Sequence, residues 1–353
     1  MSRERPIAGY FYEDYAVGDL FHHAVPRTVT EADATAYIML VGGRHPLHCS
    51  RLLANAMGHR GCPLDDMLVF NIAFGATVAD ISYNAIANLG YADVRFLAPV
   101  YAGDTISCHS EVIGIKPSTK GKNGVVYVRS RAYNQEGVEI LTWVRWVLVA
   151  SRGPLASANF TLPAFPLEVA EVDMRLPAFI DVVALDKRAT GSARVWEDYE
   201  VGATLDHPGG ATIGSTEHVL ATRLYQNPAR AHFDSLGARE SPYKRRLVYG
   251  GHVISICRSL SYFGLENAFG IAAIHGGTHT NPTFGNDTIY CRHVVMGRGE
   301  MPRRPEVGVL RLRMLGVKNQ PLASFKTPLA DAQDPALVLD LDYSVFIPRR
   351  QST

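Results

Sequence analysis

The sequence predicts an α+β protein of two tandem domains, and the main reason is an internal repeat. Residues 13–18 read Glu-Asp-Tyr-Ala-Val-Gly, and residues 197–202, which lie 184 positions later, read Glu-Asp-Tyr-Glu-Val-Gly. His48 has a counterpart in His232 at the same offset, and the tripeptide Asp-Thr-Ile at 104–106 recurs at an offset of 183. Several matches at nearly one offset indicate a domain that was duplicated.

The repeat divides the chain into three parts. We expect domain 1 to span residues 1–151 and domain 2 to span residues 193–353, with a linker at 152–192 between them. The linker contains several prolines and shows no clean hydrophobic periodicity, which is typical of a chain that runs over a surface.

Each copy is predicted to begin with a short strand and a capped helix. In the first copy Thr30 is a good N-cap, followed by acidic Glu31 and Asp33 in the first turn. In the second copy Ser215 or Thr216 is expected to play that part. A loop carrying His48 or His232 follows. The long apolar stretches at 67–79 and 248–263 then predict a buried helix in each copy, because they are too long for one strand.

The rest of each copy is predicted to be antiparallel sheet. Segments 125–132 and 138–149 are rich in Val, Tyr and Trp and flank an Asn-Gln-Glu-Gly turn, which is typical of a hairpin. Segments 307–317 and 337–346 fill the same places in the second copy, and their charged residues alternate with apolar ones. Strands segregated from one long helix per copy favour an α+β fold over an α/β fold.

Composition narrows the functional classes. The chain has 353 residues, of which 47% are hydrophobic and 20% are charged, as in ordinary globular proteins. A net charge of +1 gives no reason to expect a nucleic-acid or membrane-surface partner. We expect a cytoplasmic location, because the chain shows no membrane-spanning stretch and no apolar signal region. Five cysteines, an odd number without CxxC spacing, predict free thiols in a reduced, cytoplasmic setting. We expect no metal site, because the proline between His45 and His48 spoils a helical pair of ligands and no third ligand is evident.

Two motifs resemble a known family. Residues 246–251 read Arg-Leu-Val-Tyr-Gly-Gly, and residues 98–106 read Ala-Pro-Val-Tyr-Ala-Gly-Asp-Thr-Ile. Both resemble signatures of the MaoC-like hydratases, whose hotdog fold is an antiparallel sheet wrapped around a long central helix. Because the resemblance covers both halves, it implies two tandem hotdog domains. A fused pair already supplies one dimer interface, and further association into a homo-oligomer is compatible with it.

The resemblance also implies a reaction. Segments 45–48, 88–91 and 225–234 are similar to family members that act on short, branched dicarboxylic thioesters. The implied activity is reversible hydration and dehydration of such an enoyl-CoA, with mesaconyl-CoA and β-methylmalyl-CoA favoured. We expect no cofactor, since coenzyme A is carried by the substrate and adding water changes no oxidation state overall.

The family typically carries an Asp and a His five residues apart, and neither copy matches the Asp. Gly43 precedes His48 by five residues, and Asn227 precedes His232 by five. We predict His232 as the proton-transfer residue, Asn227 as the group that orients water or substrate, and the Gly250 N–H as the oxyanion donor. Tyr249 and Gly251 are predicted to bind substrate. His48 is a second catalytic candidate, acting from the other wall of a shared cleft. The first-copy counterpart of Gly250 is predicted to lie near Asn71.

Several alternatives stay open at this stage. Arg230 and Arg44 are candidates for binding a substrate carboxylate, since Arg binds carboxylates through two parallel bonds. Asp234, or the substrate's own carboxylate, could replace the family Asp. His275 and His279 are expected to be structural or to line the cleft. The rival functions are an acyl-CoA thioesterase on the same fold, which would release free thiol, and a non-catalytic acyl-CoA-binding module, which would bind without turnover.

Overall fold

The structure is a computed structural model that describes residues 5–118, 122–155, 160–326 and 334–351. Its strands are β1 Leu20–His22, β2 Arg27–Thr28, β3 Ala85–Phe96, β4 Thr105–Pro117, β5 Asn123–Tyr133, β6 Glu139–Ala150, β7 Thr204–Asp206, β8 Ala211–Thr212, β9 Gly270–Thr278, β10 Thr288–Glu300, β11 Val307–Lys318 and β12 Leu337–Pro348. Its helices are α1 Glu31–Val41, α2 Arg51–Ala56, α3 Asp66–Ile81, α4 Lys187–Thr190, α5 Glu217–Leu224 and α6 Gly250–Leu260. The predicted α+β class is confirmed.

The strands form one antiparallel sheet whose two halves repeat the same order. The first half runs β1-β4-β5-β6-β3, and the second half runs β9-β12-β11-β10-β7, which is the same order read from the other end. The halves meet where β3 pairs with β9, with Tyr91 opposite Gly277 and Arg95 opposite Ala273. The sequence repeat is therefore a repeat of topology, and the seam between the copies is itself a pair of hydrogen-bonded strands.

Each half packs its sheet against one buried helix, as predicted. α3 is apolar on all sides and almost fully buried, which is expected for a helix covered by sheet and by a second helix. α6 packs on α3, and Asn71 Nδ2 donates to Ser255 Oγ at 3.0 Å across that contact. α6 begins two residues later than predicted, because Leu247 still bridges to Phe284 and Tyr249 is extended.

The predicted helix caps differ between the copies. Thr30 caps α1 as predicted, its hydroxyl accepting from the Asp33 N–H at 3.3 Å. Thr216 is the N-cap residue of α5, which is one of the two predicted positions, but its side chain makes no capping hydrogen bond. The Gly214 N–H instead donates to the carboxylate of Glu217 at 3.4 Å, and this bond holds the start of α5.

The linker packs onto the molecule instead of lying loosely over it. Met174, Ile180, Val182 and Leu185 are buried in one apolar cluster together with Met57, which follows α2. The Ile180 carbonyl accepts from Arg304, so the second half also holds the linker. Across the described ranges, no helix combines the length and apolar character needed to cross a bilayer.

Candidate active site

A cleft of about 280 Å³ lies beside the seam and is lined by both halves of the chain. The first half contributes α3, β3 and β6 to its wall, and the second half contributes the loop before α6, the start of α6 and the segment that follows β9. The polar or aromatic side chains among its lining residues are Phe74, Ser82, Asn88, Tyr91, Arg145, Asn227, His232, Tyr243, Tyr249, His279, Thr280, Asn281 and Thr283.

His232 is placed in this cleft with a defined tautomer. Its Nδ1 lies 3.0 Å from the carbonyl oxygen of Leu247. Because a carbonyl can only accept, Nδ1 carries the proton and Nε2 keeps its lone pair. Burial lowers the pKa of His232, so the imidazole is neutral at neutral pH. The residue can therefore accept a proton at Nε2, as a general base must.

Asn227 is buried in the same wall, and its amide is oriented by a backbone bond. Its Oδ1 accepts from the Ala229 N–H at 3.0 Å, which leaves Nδ2 as the donating end. The loop lies this close to α3 because of Gly75, where a Cβ would stand 2.0 Å from the Tyr225 carbonyl oxygen. Asn227 can thus donate a hydrogen bond to a water or a substrate oxygen but cannot take a proton from it.

Gly250 is the first residue of α6. The N–H groups of a first helical turn have no intrahelical acceptor, and the helix dipole favours negative charge there. A Cβ at Gly250 would lie 2.3 Å from Nε2 of His279, so any larger residue would force the ring or the start of α6 to shift. Gly251 instead faces Asn71, whose Oδ1 would lie 2.1 Å from its Cβ, and it does not line the cleft. Gly251 therefore contributes to helix packing, and its predicted role in substrate binding stays a prediction.

Two further histidines separate into one cleft residue and one structural residue. His279 lines the cleft, and its Nε2 is 3.2 Å from the hydroxyl of Tyr91. Burial lowers the pKa of His279 to about 4, so it is neutral. His275 lies elsewhere, accepting from the Val169 N–H at 2.9 Å and bonding to Ser344 at 2.8 Å. It therefore ties the linker to the sheet.

The structure does not bring the other sequence candidates to the cleft. The guanidinium of Arg44 stacks on Phe263 at 4.9 Å from the ring centre, and that of Arg230 stacks on Tyr83 at 5.1 Å. The carboxylate of Asp234 accepts the N–H groups two and three residues later in the chain and so stabilises a turn. None of the three is among the lining residues.

The cation that does line the cleft is Arg145 of β6, which our sequence analysis missed. It is fully buried, and its guanidinium donates to Thr77 Oγ1 at 2.9 Å and to Ser82 Oγ at 3.3 Å. It stacks on Phe74 at 4.1 Å from the ring centre. The signal was present in the sequence: Arg145 interrupts an alternation of buried apolar side chains at 143, 147 and 149 on the core face of the strand.

The first copy has a smaller, equivalent pocket of about 70 Å³ that contains His48. His48 Nδ1 donates to the Pro63 carbonyl at 3.0 Å, as His232 does to Leu247. Its Nε2 lies 3.7 Å from a carboxylate oxygen of Asp65. His48 is therefore in a separate pocket and does not act from the other wall of the cleft that contains His232.

The counterpart of Gly250 in the first copy is Asp66, not a residue near Asn71. Asp66 is the first residue of α3, as Gly250 is the first residue of α6, and the two positions are 184 residues apart. The same offset separates the two histidines and the two carbonyl groups to which they donate. The Asp66 carboxylate accepts from the Ile271 N–H at 2.7 Å, and burial raises its pKa to about 6. A carboxylate here would repel a developing enolate.

The linker also contributes to the wall of the first-copy pocket. Arg175, Leu176, Pro177 and Ile180 form part of its lining. Among the described lining residues of the larger cleft, none comes from the linker. The two copies therefore differ in three ways: the residue at the start of the helix, the polar partner of the histidine, and the contribution of the linker to the pocket wall.

One cluster has metal-ligand residue types. His207, Cys291 and His293 place their ligand atoms within 4.8 Å of one another. The imidazoles already form a chain: His207 donates from Nδ1 to the Phe263 carbonyl at 2.7 Å and accepts at Nε2 from His293 Nδ1 at 2.7 Å. His293 Nε2 in turn lies 2.8 Å from the hydroxyl of Tyr343. Every ring nitrogen of the two histidines has a hydrogen-bond partner, and these bonds account for the arrangement of the cluster.

Comparison with known proteins agrees with this architecture. A family model described as "MaoC like domain" matches residues 14–134. The beta-methylmalyl-CoA dehydratase of Chloroflexus aurantiacus is 47% identical over 346 residues, which cover 97% of this chain and 98% of that protein. The mesaconyl-CoA hydratase of Cereibacter sphaeroides is 44% identical over 344 residues, which cover 97% of this chain and 99% of that protein.

Solved structures show the same fold over the whole chain. The crystal structure of a MaoC domain protein dehydratase from C. aurantiacus superposes with a TM-score of 0.94 at 46% identity, covering 99% of this chain and 100% of that one. A Mycobacterium tuberculosis protein with a double hotdog fold superposes with a TM-score of 0.79 at 24% identity, covering 98% and 100%. The fold is a double hotdog. The chain belongs to the MaoC-like dehydratase family.

Proposed function

We propose that the protein catalyses the reversible hydration of a short, branched, dicarboxylic enoyl-CoA, namely mesaconyl-CoA to β-methylmalyl-CoA. The observation that carries the proposal is the placement of a neutral His232, with its unprotonated Nε2, in one cleft with the Asn227 amide and the first turn of α6. The proposal is supported by two relatives of 47% and 44% identity that are named for this pair of thioesters.

Water is activated at His232. The Asn227 Nδ2 group donates to the water oxygen, and His232 Nε2 accepts one of its protons. The water oxygen then bonds to Cβ of the enoyl thioester, and the electrons of the double bond move to Cα and the thioester oxygen. The N–H of Gly250, at the positive end of the α6 dipole, stabilises the enolate oxygen.

The same histidine completes the addition. The imidazolium formed at His232 gives its proton to Cα, so the enolate reverts to a thioester and the histidine returns to its neutral form. One group thus serves as base and then as acid, which replaces the Asp–His pair usual in the family. The reverse order gives dehydration. No electrons leave the substrate, so the proposed reaction needs no redox cofactor, and coenzyme A arrives with the substrate.

The test is a direct assay on purified protein. Mesaconyl-CoA is added, and the loss of the enoyl absorbance and the release of free thiol are followed together. We expect absorbance loss without thiol release, and β-methylmalyl-CoA as the product by mass spectrometry. Thiol release in step with the absorbance change would establish the thioesterase instead. Tight binding of mesaconyl-CoA with no turnover would establish the non-catalytic binding module.

A further inference from the structure

The cleft contains a buried cation that has no anion beside it. Arg145 is fully buried, and its Nε has no hydrogen-bond partner in the described structure. Its two bonds, to Thr77 and Ser82, go to neutral hydroxyls. Burial lowers the pKa of Arg145 to about 10, so the group is still protonated at neutral pH. Burying an uncompensated charge is strongly unfavourable, and a buried charge that lines a cleft is a candidate for pairing with a ligand of opposite charge.

Further unsatisfied polar groups line the same cleft. The hydroxyl of Tyr249 is buried without a partner, and so are both amide atoms of Asn88. Arg145 and Tyr249 both pack against Phe74, the guanidinium 4.1 Å and the Tyr249 ring centre 5.7 Å from the centre of that ring. Guanidinium, phenol and amide N–H groups are all donors, so an acceptor with several lone pairs is the ligand that would satisfy them together.

The protein itself does not provide that acceptor. None of the lining residues of the cleft in the described structure is an Asp or a Glu. The lining histidines are neutral, because burial lowers the pKa of both His232 and His279. The cleft therefore has a net positive charge from Arg145, and the missing negative charge has to arrive with the ligand.

We propose that Arg145, assisted by the Tyr249 hydroxyl and the Asn88 amide, binds the second carboxylate of the substrate and makes the enzyme selective for dicarboxylic thioesters. This proposal rests on the proposed hydratase function. In mesaconyl-CoA the second carboxylate is carried by Cβ, the carbon to which water adds. A guanidinium bound to that carboxylate would both orient Cβ towards His232 and neutralise a charge that otherwise repels the incoming oxygen.

The position of Arg145 also separates the roles of the two halves. Arg145 lies opposite Val128 of β5, and Tyr343 of β12 lies opposite Leu312 of β11, which is 184 positions after Val128. Tyr343 therefore occupies the place equivalent to Arg145. Tyr343 is buried and bonded to His293. The carboxylate-binding cation thus comes from the first copy alone, whereas His232, Asn227 and Gly250 come from the second.

The kinetic test compares two substrates of one shape. Mesaconyl-CoA and tiglyl-CoA share the branched enoyl skeleton, but tiglyl-CoA has a methyl group in place of the carboxylate. We expect Arg145→Gln to lower the ratio of kcat/KM for mesaconyl-CoA to that for tiglyl-CoA by about 10- to 150-fold, as for the loss of a charged hydrogen bond. Arg145→Lys should restore part of the ratio. Arg131→Gln on the neighbouring strand, which removes a half-exposed ion pair, should leave the ratio unchanged.

A binding measurement separates this proposal from the hydratase assignment. Methylsuccinyl-CoA and 2-methylbutyryl-CoA are saturated, so water cannot add to them, and they differ in the same carboxylate. Isothermal titration calorimetry should show that wild-type protein prefers methylsuccinyl-CoA and that Arg145→Gln loses this preference. That result would support the role of Arg145 even if neither enoyl-CoA were hydrated, in which case the proposed function alone would fail.

Other outcomes would overturn the proposal. Equal loss of activity on both enoyl substrates in Arg145→Gln, with unchanged binding preference, would show that the arginine only supports the fold. Equal binding of the two saturated thioesters by wild-type protein would have the same consequence. If Arg145→Gln does not fold, Tyr249→Phe takes its place in the test. The proposal requires Tyr249→Phe to lower the ratio of kcat/KM for mesaconyl-CoA to that for tiglyl-CoA by about 2- to 12-fold, as for the loss of one neutral hydrogen bond.

Discussion

At the scale of single residues, the two repeated histidines show how one local geometry acquires different surroundings. His48 and His232 both donate from Nδ1 to a carbonyl fifteen residues later, at 3.0 Å in each case. Beyond that bond they differ, because His48 Nε2 faces the Asp65 carboxylate whereas His232 lines the larger cleft. The hydrogen bond to the backbone carbonyl sets the tautomer in both copies. The neighbouring residues then decide whether Nε2 can exchange a proton with a bound substrate or water.

The first prediction concerns the base. His232→Gln keeps a polar side chain of similar length but cannot accept and return a proton. We expect kcat for hydration of mesaconyl-CoA to fall by about 100- to 10,000-fold, which is the usual contribution of a general base. The matched control is His48→Gln, which should leave kcat near that of the wild type. Similar losses in both variants would mean that the first copy also carries out the reaction.

The second prediction concerns the oxyanion donor. In Gly250→Ala the new Cβ would meet the His279 ring at 2.3 Å, so the ring or the start of α6 must shift. Displacing an oxyanion donor typically lowers kcat by about 100- to 1,000-fold, and we expect a loss of that order. Gly43→Ala is the control, because its Cβ would meet its nearest atoms at an ordinary 3.7 Å. Steady-state kinetics of both variants, with circular dichroism to check folding, test this prediction.

At the scale of elements, the linker and α3 supply different parts of the walls of the two pockets. The linker residues at 175–177 and 180 line the pocket of the first copy, and Asp66 at the start of α3 bonds across to β9. At its middle, α3 supports the larger cleft by letting the Tyr225–Asn227 segment approach Gly75. One helix thus lines one pocket with its first residue and helps to form the other with its middle turn.

The third prediction tests the linker as a structural element. Ile180→Ala removes a buried side chain from the cluster between the linker and α2, and we expect it to lower the free energy of unfolding by about 2–4 kcal/mol. Its kcat and KM should stay near the wild-type values, because Ile180 does not line the larger cleft. Val183→Ala is the control, since Val183 is exposed and should change stability by less than about 0.5 kcal/mol. Urea unfolding followed by fluorescence measures both, and a large kcat loss in Ile180→Ala would argue for a catalytic role of the first pocket.

At the scale of the whole molecule, the buried histidines link stability to pH. Burial lowers the pKa of a large set of histidines, which the folded protein keeps neutral: His23, His45, His59, His207, His218, His232, His275, His279 and His293. The unfolded chain takes up protons on these groups as the pH falls through about 6.5, and the folded chain does not. Asp66 acts in the opposite direction, because its pKa is raised to about 6 in the folded state.

The fourth prediction follows from that difference in proton uptake. The free energy of unfolding should be greatest above the unfolded-state histidine pKa and should fall as the pH is lowered from 7.5 to 5.5. Each neutral buried histidine contributes a slope of up to about 1.4 kcal/mol per pH unit below that pKa, so the summed loss should be several kcal/mol. Urea unfolding at constant ionic strength measures it. A free energy of unfolding that does not change over this range would contradict the prediction.

Much of the architecture could be predicted from the sequence because it depends on local patterns. The repeat indicated two copies, the apolar stretches indicated α3 and α6, and the alternating segments indicated β5, β6, β11 and β12. The same local signals selected His232, Asn227 and Gly250, which the structure places in one cleft wall, since all three lie in or next to one loop and the helix that follows it. Arg44, Arg230 and Asp234 were candidates by nearness in sequence, and their side chains turn to other partners.

The sequence by itself determined the duplication, the α+β class and the loop and helix that carry His232, because periodicity and spacing report the local conformation and the buried face of each segment. Only the tertiary structure decided that β3 pairs with β9, and that Arg145 of the first half therefore lines the same cleft as His232 of the second. It also decided that Asp66 stands where Gly250 does, and that the linker lines the first pocket. These relations depend on strand register and on packing between distant segments, which no local pattern contains.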